Sequence, residues 1–101
     1  MGVRMTTSFL CVKVDPERVV QSLRQEAVET VTNATVHGAE GEVVLEFSSV
    51  LKIDTHVLGA MEELATLADG RSVKVVLRGV NMDIYKVLKV LKLSHRFSFL
   101  N

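Results

Sequence analysis

The sequence predicts an α/β domain: a mixed, mostly parallel sheet with three main helices packed against it. Short Val-rich runs alternate with longer stretches of helical period, in the order strand, helix, strand, helix, strand, helix. The stretches between strands are long enough to be crossover helices, which join parallel strands. A length of 101 residues suits one domain and is too short for two, so a single domain is expected over residues 1–101.

The first strand is read in "SFLCVKV", where Phe9, Cys11 and Lys13 alternate with Leu10, Val12 and Val14. Cys11 is expected there as a small buried hydrophobe and not as a catalytic thiol. In "VDPER", Asp15 suits an N-cap, Pro16 the first helical turn, and Glu17 the positive end of the dipole. Val20, Leu23, Ala27, Val31 and Ala34 then recur at three- and four-residue steps and form one apolar face.

"HGAEG" ends that helix, and "VVLEF" follows as a strand with apolar residues on both faces. Ser48-Ser49 marks a turn, and "VLKI" carries the chain to Asp54. The second helix is predicted from about Thr55 to Ala68, with Leu58, Met61, Leu64, Ala65 and Ala68 inward and Gly70 as C-cap. "SVKVVLRGV" is the third strand, closed by Gly79. Asn81 or Asp83 can cap the last helix, "MDIYKVLKVLKL", whose inward face is read as Ile84, Val87, Leu88 and Leu91. The closing "RFSFL" is either a short strand or an extended tail.

Composition narrows the function classes. An apolar content of 48% supports a core without staples, and the single Cys11 excludes an internal disulfide. Twelve acidic and twelve basic residues give zero net charge, against the basic excess of a nucleic-acid binder. No apolar run approaches the roughly 20 residues that span a bilayer, so no membrane insertion is expected. The opening "MGVRMTTSF" lacks a signal peptide's apolar region, and the expected location is the cytoplasm. "GAEG" precedes a strand, so it is neither a dinucleotide fingerprint nor a P-loop. His37, His56 and His95 show no metal-ligand spacing, and Glu62-Glu63 face different ways on a helix. No residue evidence favours an enzyme or a cofactor. Lys86, Lys89 and Lys92 recur every three residues, with Arg96 beyond, and make a basic stripe that is either solvated surface or a secondary docking face.

Several of these segments in series resemble the STAS domain, the family named for sulfate transporters and anti-sigma-factor antagonists. "VVLEFSSVLKID" is similar to the family's strand pattern V-V-L-D-L-S-x-V-x-x-I-D, and "DTHVLGAMEELATLA" falls on its D-S-S-G-L-G-A-L turn and helix. "VDPERVVQSLRQEA" is similar to the first helix with its leading Asp, and "VKVVLRGVNMDIYKVLKVLKL" to the next strand, turn and final helix. The resemblance covers roughly residues 8 to 100. It implies a four- or five-stranded sheet, with only "MGVRM" available for the family's extra first strand. It also implies a non-enzymatic domain that docks to another protein through Asp54, Thr55, His56, Leu58 and Gly59. In anti-sigma-factor antagonists a partner kinase phosphorylates the first Ser after the Asp, a place held here by Thr55.

Two partner classes follow from the resemblance. One is a kinase-like anti-sigma factor, with the chain as its antagonist. The other is the ATPase of a lipid-asymmetry ABC transporter, whose small STAS subunit commonly has Thr after the Asp and a "GVN" turn before an aromatic, matched here by "GVNMDIY".

The seam itself has two readings. Asp54 and Thr55 can be a plain capping pair, or Thr55 can be a hydroxyl held where a phosphate would switch docking. His56 and Val57 stand where the family has a small hydroxyl residue and Gly, and their bulk counts against kinase access to Thr55.

Overall fold

Alternation along the first strand decides which side of the sheet is buried. In the computed structural model, which describes residues 9–36 and 41–100, β1 spans Phe9–Lys13. Val12 and Val14 are buried, whereas Cys11 and Lys13 are exposed. Cys11 is therefore not the core residue the sequence suggested. It shares the period-two face of Lys13, and that face does not carry the helices. The strands β2 (Glu42–Glu46) and β3 (Lys74–Arg78) repeat the pattern, and β4 (Ser98–Leu100) resolves the closing residues as a strand.

The four strands lie in the order β1-β2-β3-β4, all neighbours parallel. With right-handed crossovers, this sequential order places every helix on one face. Burial agrees: Val12, Val14, Val43, Leu45, Phe47, Val75 and Leu77 belong to the core cluster. On the opposite face Cys11, Val44 and Val76 are in register, flanked by the ion pairs Glu42–Lys74 and Glu46–Arg78. Val44 and Val76 are also buried, at 5% and 3% exposure, so β2 carries buried apolar residues on both faces as expected. The described strands are purely parallel. The extra strand considered for "MGVRM", and the "HGAE" break with His37, lie outside the described residues.

The first helical run begins later than the sequence indicated. Asp15 does not cap it: its Oδ1 accepts the Glu17 N–H at 2.9 Å and its carbonyl accepts the Arg18 N–H at 3.0 Å, closing a turn. The run consists of α1 (Val19–Gln21), a π segment (Ser22–Ala27) and α2 (Val28–Val36). Leu23, Ala27, Val31 and Ala34 are buried as predicted, with Val20 half-buried. Four-residue steps drift around an ordinary α-helix, and the wider i→i+5 turn keeps Leu23, Ala27 and Val31 on the core side.

Helices α3 (Thr55–Gly70) and α4 (Met82–Val90) end in the same way. The N–H of Val73 bonds to the Ala68 carbonyl at 3.0 Å, and that of Leu93 to Leu88 at 2.8 Å. The residue between, Ser72 or Lys92, takes a left-handed φ of 59° or 61°. These are Schellman stops, each followed by a buried apolar residue, Val73 or Leu93. Gly70 is thus the last helical residue and not the C-cap, which is Arg71. Gly79 does need its freedom. Its φ is +76°, and an added Cβ would lie 2.9 Å from the Ser48 Cβ and 3.0 Å from that residue's Cα and N.

Candidate functional site

The backbone of Asp54 is extended, and its Oδ1 accepts the Val57 N–H at 2.9 Å. The capping reading of the seam is therefore satisfied by Asp54 itself. Thr55 is left as the first residue of α3, exposed, with its hydroxyl at the positive end of a sixteen-residue helix. His56 is exposed next to it.

Val57 behaves differently from the expectation. It is buried, at 5% exposure, and belongs to the core. Its side chain packs into the core, so of the two bulky residues only His56 is exposed beside Thr55. The inward face of α3 is Val57, Ala60, Met61, Leu64, Ala65 and Ala68. Leu58, read as inward from the sequence, is only half-buried.

Leu58 instead helps to form a groove. Thr55, Leu58, Gly59 and Glu62 make one wall of an open hollow of about 350 Å³, and Leu91 and Leu93 make the other. Four of the five docking residues read from the sequence meet around it or at its edge: Thr55, Leu58 and Gly59 line it, and Asp54 fixes the turn from which they project. On the other side of the seam, Asp54 and Val57 line a second open hollow of about 580 Å³ with Lys52, Ile53 and the segment from Pro16 to Gln21.

The far wall was not legible as such. Val87 and Leu91, expected inward, are 38% and 50% exposed, and the buried face of α4 is reduced to Ile84 and Leu88. Periodicity marks Val87 and Leu91 as apolar and cannot say whether the core or the surface receives them. Lys86, Lys89 and Lys92 are exposed beside these residues. None of the three lysines forms an ion pair with another described residue. Arg96 leaves the basic stripe: its Nη2 donates to Asp69 at 2.7 Å and ties the turn Ser94–Arg96 to the C-terminal end of α3.

The turn before α4 is locked to the seam. Asn81, and not Asp83, is the N-cap: its Oδ1 accepts the Ile84 N–H at 2.8 Å, and its Nδ2 donates to the Leu51 carbonyl at 3.0 Å. Gly79 packs against Ser48 at the other end of the same connection. Residues 48–51, shortly before Asp54, are therefore held at both ends by the β3–α4 turn. Sequence reading offered Asn81 as a cap and missed its second role, which joins residues 30 positions apart. Among the described residues no group of three or more His, Cys, Asp or Glu side chains is placed to hold a metal ion. No described helix is long and apolar enough to cross a membrane.

The model of the STAS domain family matches residues 16–101. The chain belongs to the STAS domain family. No curated protein sequence matches it. Among solved structures, the fold is similar to a Thermotoga maritima protein described as a candidate anti-sigma factor antagonist, with a TM-score of 0.61. The two sequences are 14% identical over an alignment covering 96% of this chain and 76% of that one, a likeness of fold. The STAS match takes in the seam, both walls of the groove and the β3–α4 turn. It begins at Pro16, so β1 precedes it.

Proposed function

We propose that this STAS domain is a regulatory module that docks to a partner protein through the Asp54–Thr55 turn and the first turns of α3, in the manner of an anti-sigma-factor antagonist. One observation carries the reading: a capped, rigid turn presents an exposed hydroxyl at the mouth of an apolar groove. The reading assigns the chain binding and no catalysis. Asp54 holds the turn, Thr55 and His56 meet the partner, and Leu58 and Gly59 form the apolar floor. With Val57 turned into the core, Thr55 is open enough to serve as a phosphorylation site. A phosphate there would sit favourably on the helix dipole, yet bring a charge of about −1.5 to −2 into the interface.

The test is affinity for a partner isolated from the source organism, measured by calorimetry. Asp54→Ala and Thr55→Glu are expected to weaken binding while circular dichroism shows an intact fold. Unchanged affinity in both variants moves the interface elsewhere. Incubation with a partner kinase and ATP, followed by mass spectrometry, should place phosphate on Thr55, and none there leaves it a docking hydroxyl only. Recovery of an ABC-type ATPase in place of a kinase-like anti-sigma factor replaces the regulator with a transporter subunit.

A further inference from the structure

Three open hollows follow one another along α4, and the charges around them differ from end to end. The hollow shared with α3 meets a second of about 290 Å³ at Leu91, and that one meets a third of about 140 Å³ at Val87. Val87, Val90 and Leu91 are spaced i, i+3 and i+4, so they share one helix face. Val90 is 78% exposed and Leu51, on the third hollow, 74%, a gathering of large apolar side chains that marks an interaction surface. On the N-terminal half of α4, Lys52 lines the hollow it shares with Asp83, Ile84 and Val87. At the C-terminal end, Glu62 lines the hollow it shares with Leu91 and Leu93. Lys86 lines the one between. Lys52, Glu62, Asp83 and Lys86 are exposed, and none forms an ion pair with another described residue.

We propose that a second copy of this chain covers the surface, in a dimer whose twofold axis crosses α4 between Lys86 and Val87. Such an axis sets the two α4 helices antiparallel and lays the Lys52 end of each copy on the Glu62 end of the other. Lys52 then meets the second copy's Glu62, and the contact occurs twice. Near the axis, Lys86 has the second copy's Asp83 to meet, about one turn along the antiparallel pair. The apolar residues make the same exchange: Leu51 of each copy comes over Val90 and Leu91 of the other. A rim of one sign would repel itself in an isologous pair, whereas this rim offers each charge its opposite across the axis. The surface has fewer residues than the roughly 20–30 a side of a standard interface, so the dimer is a weak one, with a Kd on the order of 100 μM.

An anionic membrane fits less well, because it selects a basic rim and here Glu62 and Asp83 stand in that rim. The dimer has a consequence for the turn. Thr55 lines the same hollow as Glu62, so a second copy seated there competes with a partner docked at Thr55. That competition rests on the docking reading above; the dimer itself does not.

The test is equilibrium sedimentation of the full-length chain from about 10 μM to about 1 mM. The average mass is expected to climb toward that of a dimer across the series, and the amide shift changes on dilution should map to Leu51, Val87, Val90 and Leu91. Val90→Asp, at an exposed position, should leave the circular dichroism unchanged and weaken self-association by about tenfold or more. Charge reversal tests the pairing itself. Lys52→Glu and Glu62→Lys each set like charges opposite one another in their own homodimers, and each should weaken self-association by about tenfold at low salt and less at high salt. Mixed in equal amounts, the two variants should form a heterodimer about as tight as the parent dimer, because one pair is then native and the other is reversed. A chain still monomeric at the top of the series, shifts elsewhere, indifference to both reversals, or a mixture no tighter than the single variants overturns the proposal. Binding to phosphatidylglycerol vesicles without self-association overturns it in favour of a membrane. If the dimer fails while Asp54→Ala and Thr55→Glu still weaken an isolated partner, the docking reading stands without it. If the dimer holds and the partner ignores both substitutions, the docking reading alone falls.

Discussion

Asn81 does two jobs that a pair of substitutions can separate. It caps α4 through the Ile84 N–H, and it tethers the segment leading into Asp54 through the Leu51 carbonyl. Asn81→Ala removes both. Asn81→Asp keeps an acceptor for the cap and deletes the donor of the tether. Loss of an N-cap costs about 0.5–2 kcal/mol. A partly exposed, neutral hydrogen bond contributes about 0.5–1.5 kcal/mol net. The alanine variant should therefore lose about 1–3.5 kcal/mol. In the aspartate variant the new charge at the helix N-terminus gains about 0.3–1 kcal/mol, which offsets most of the lost tether. That variant should stay within about 1 kcal/mol of the parent.

Urea denaturation followed by circular dichroism measures the difference, because the midpoint moves with stability while an unchanged slope confirms an unchanged unfolding transition. In a domain of this size each kcal/mol shifts Tm by about 4–8 °C, so melting curves resolve the two variants. The aspartate variant should also show faster exchange of the Val50 amide, which bonds the Phe47 carbonyl in the segment the tether holds. If it falls as far as the alanine variant, the cap contributes nothing, and Asn81 holds α4 in some other way.

Two residues with left-handed backbone should respond in opposite directions. Gly79→Ala places a Cβ against Ser48 at a φ of +76° and should cost at least about 1–2 kcal/mol, read as a lowered Tm. Ser72→Gly relieves a φ of 59° and should gain up to about 1 kcal/mol by the same measurement. Acid should reveal the contribution of the Glu46–Arg78 ion pair. Hydrogen bonds from Ser48 and then from Arg78 hold the Glu46 carboxyl below its ordinary value of 4.5. A lowered folded pKa contributes stability above the unfolded value, and that contribution is lost as pH falls through the folded one. The advantage of the parent over Glu46→Gln should therefore be full near neutrality and shrink below about pH 4.5 in urea titrations.

What the sequence disclosed follows from which forces act locally. The caps at Asp54 and Asn81 were legible because an N-cap is one side chain bonding an amide three residues on. The inward positions Leu23, Ala27, Val31, Met61 and Leu64 were legible because burial repeats with the helix turn. The start of the first helix was not, because Asp15 bonds Glu17 in a turn with the same residue types as a cap. The Schellman stops were hidden because Ser72 and Lys92 hold positions that Gly usually fills. Cys11 was misplaced because its apolar character outweighed its register with Lys13. The groove escaped for a deeper reason. An apolar residue on a helix reads the same whether the core or the surface receives it, and Val87 and Leu91 lie on the surface.

The division of labour at the seam follows from geometry. A turn that must present one residue to a partner has to spend another on holding itself in place, since unpaired amides at a helix start otherwise compete for the same side chains. Asp54 is committed to the Val57 amide and Val57 to the core. Asn81 is committed to Leu51 and Ile84, and Gly79 to Ser48. Once those commitments are counted, Thr55 and His56 are the two exposed side chains on the first turn of α3. On the docking proposal, a partner at the helix end would meet one hydroxyl and one imidazole, with the hollow between α3 and Leu91 behind them. Replacing the family's small residue by Val57 strengthens this arrangement, since a buried β-branched side chain anchors the first turn more firmly than Gly would. The Val57 that counted against kinase access to Thr55 is thus part of what holds the first turn of α3 in place.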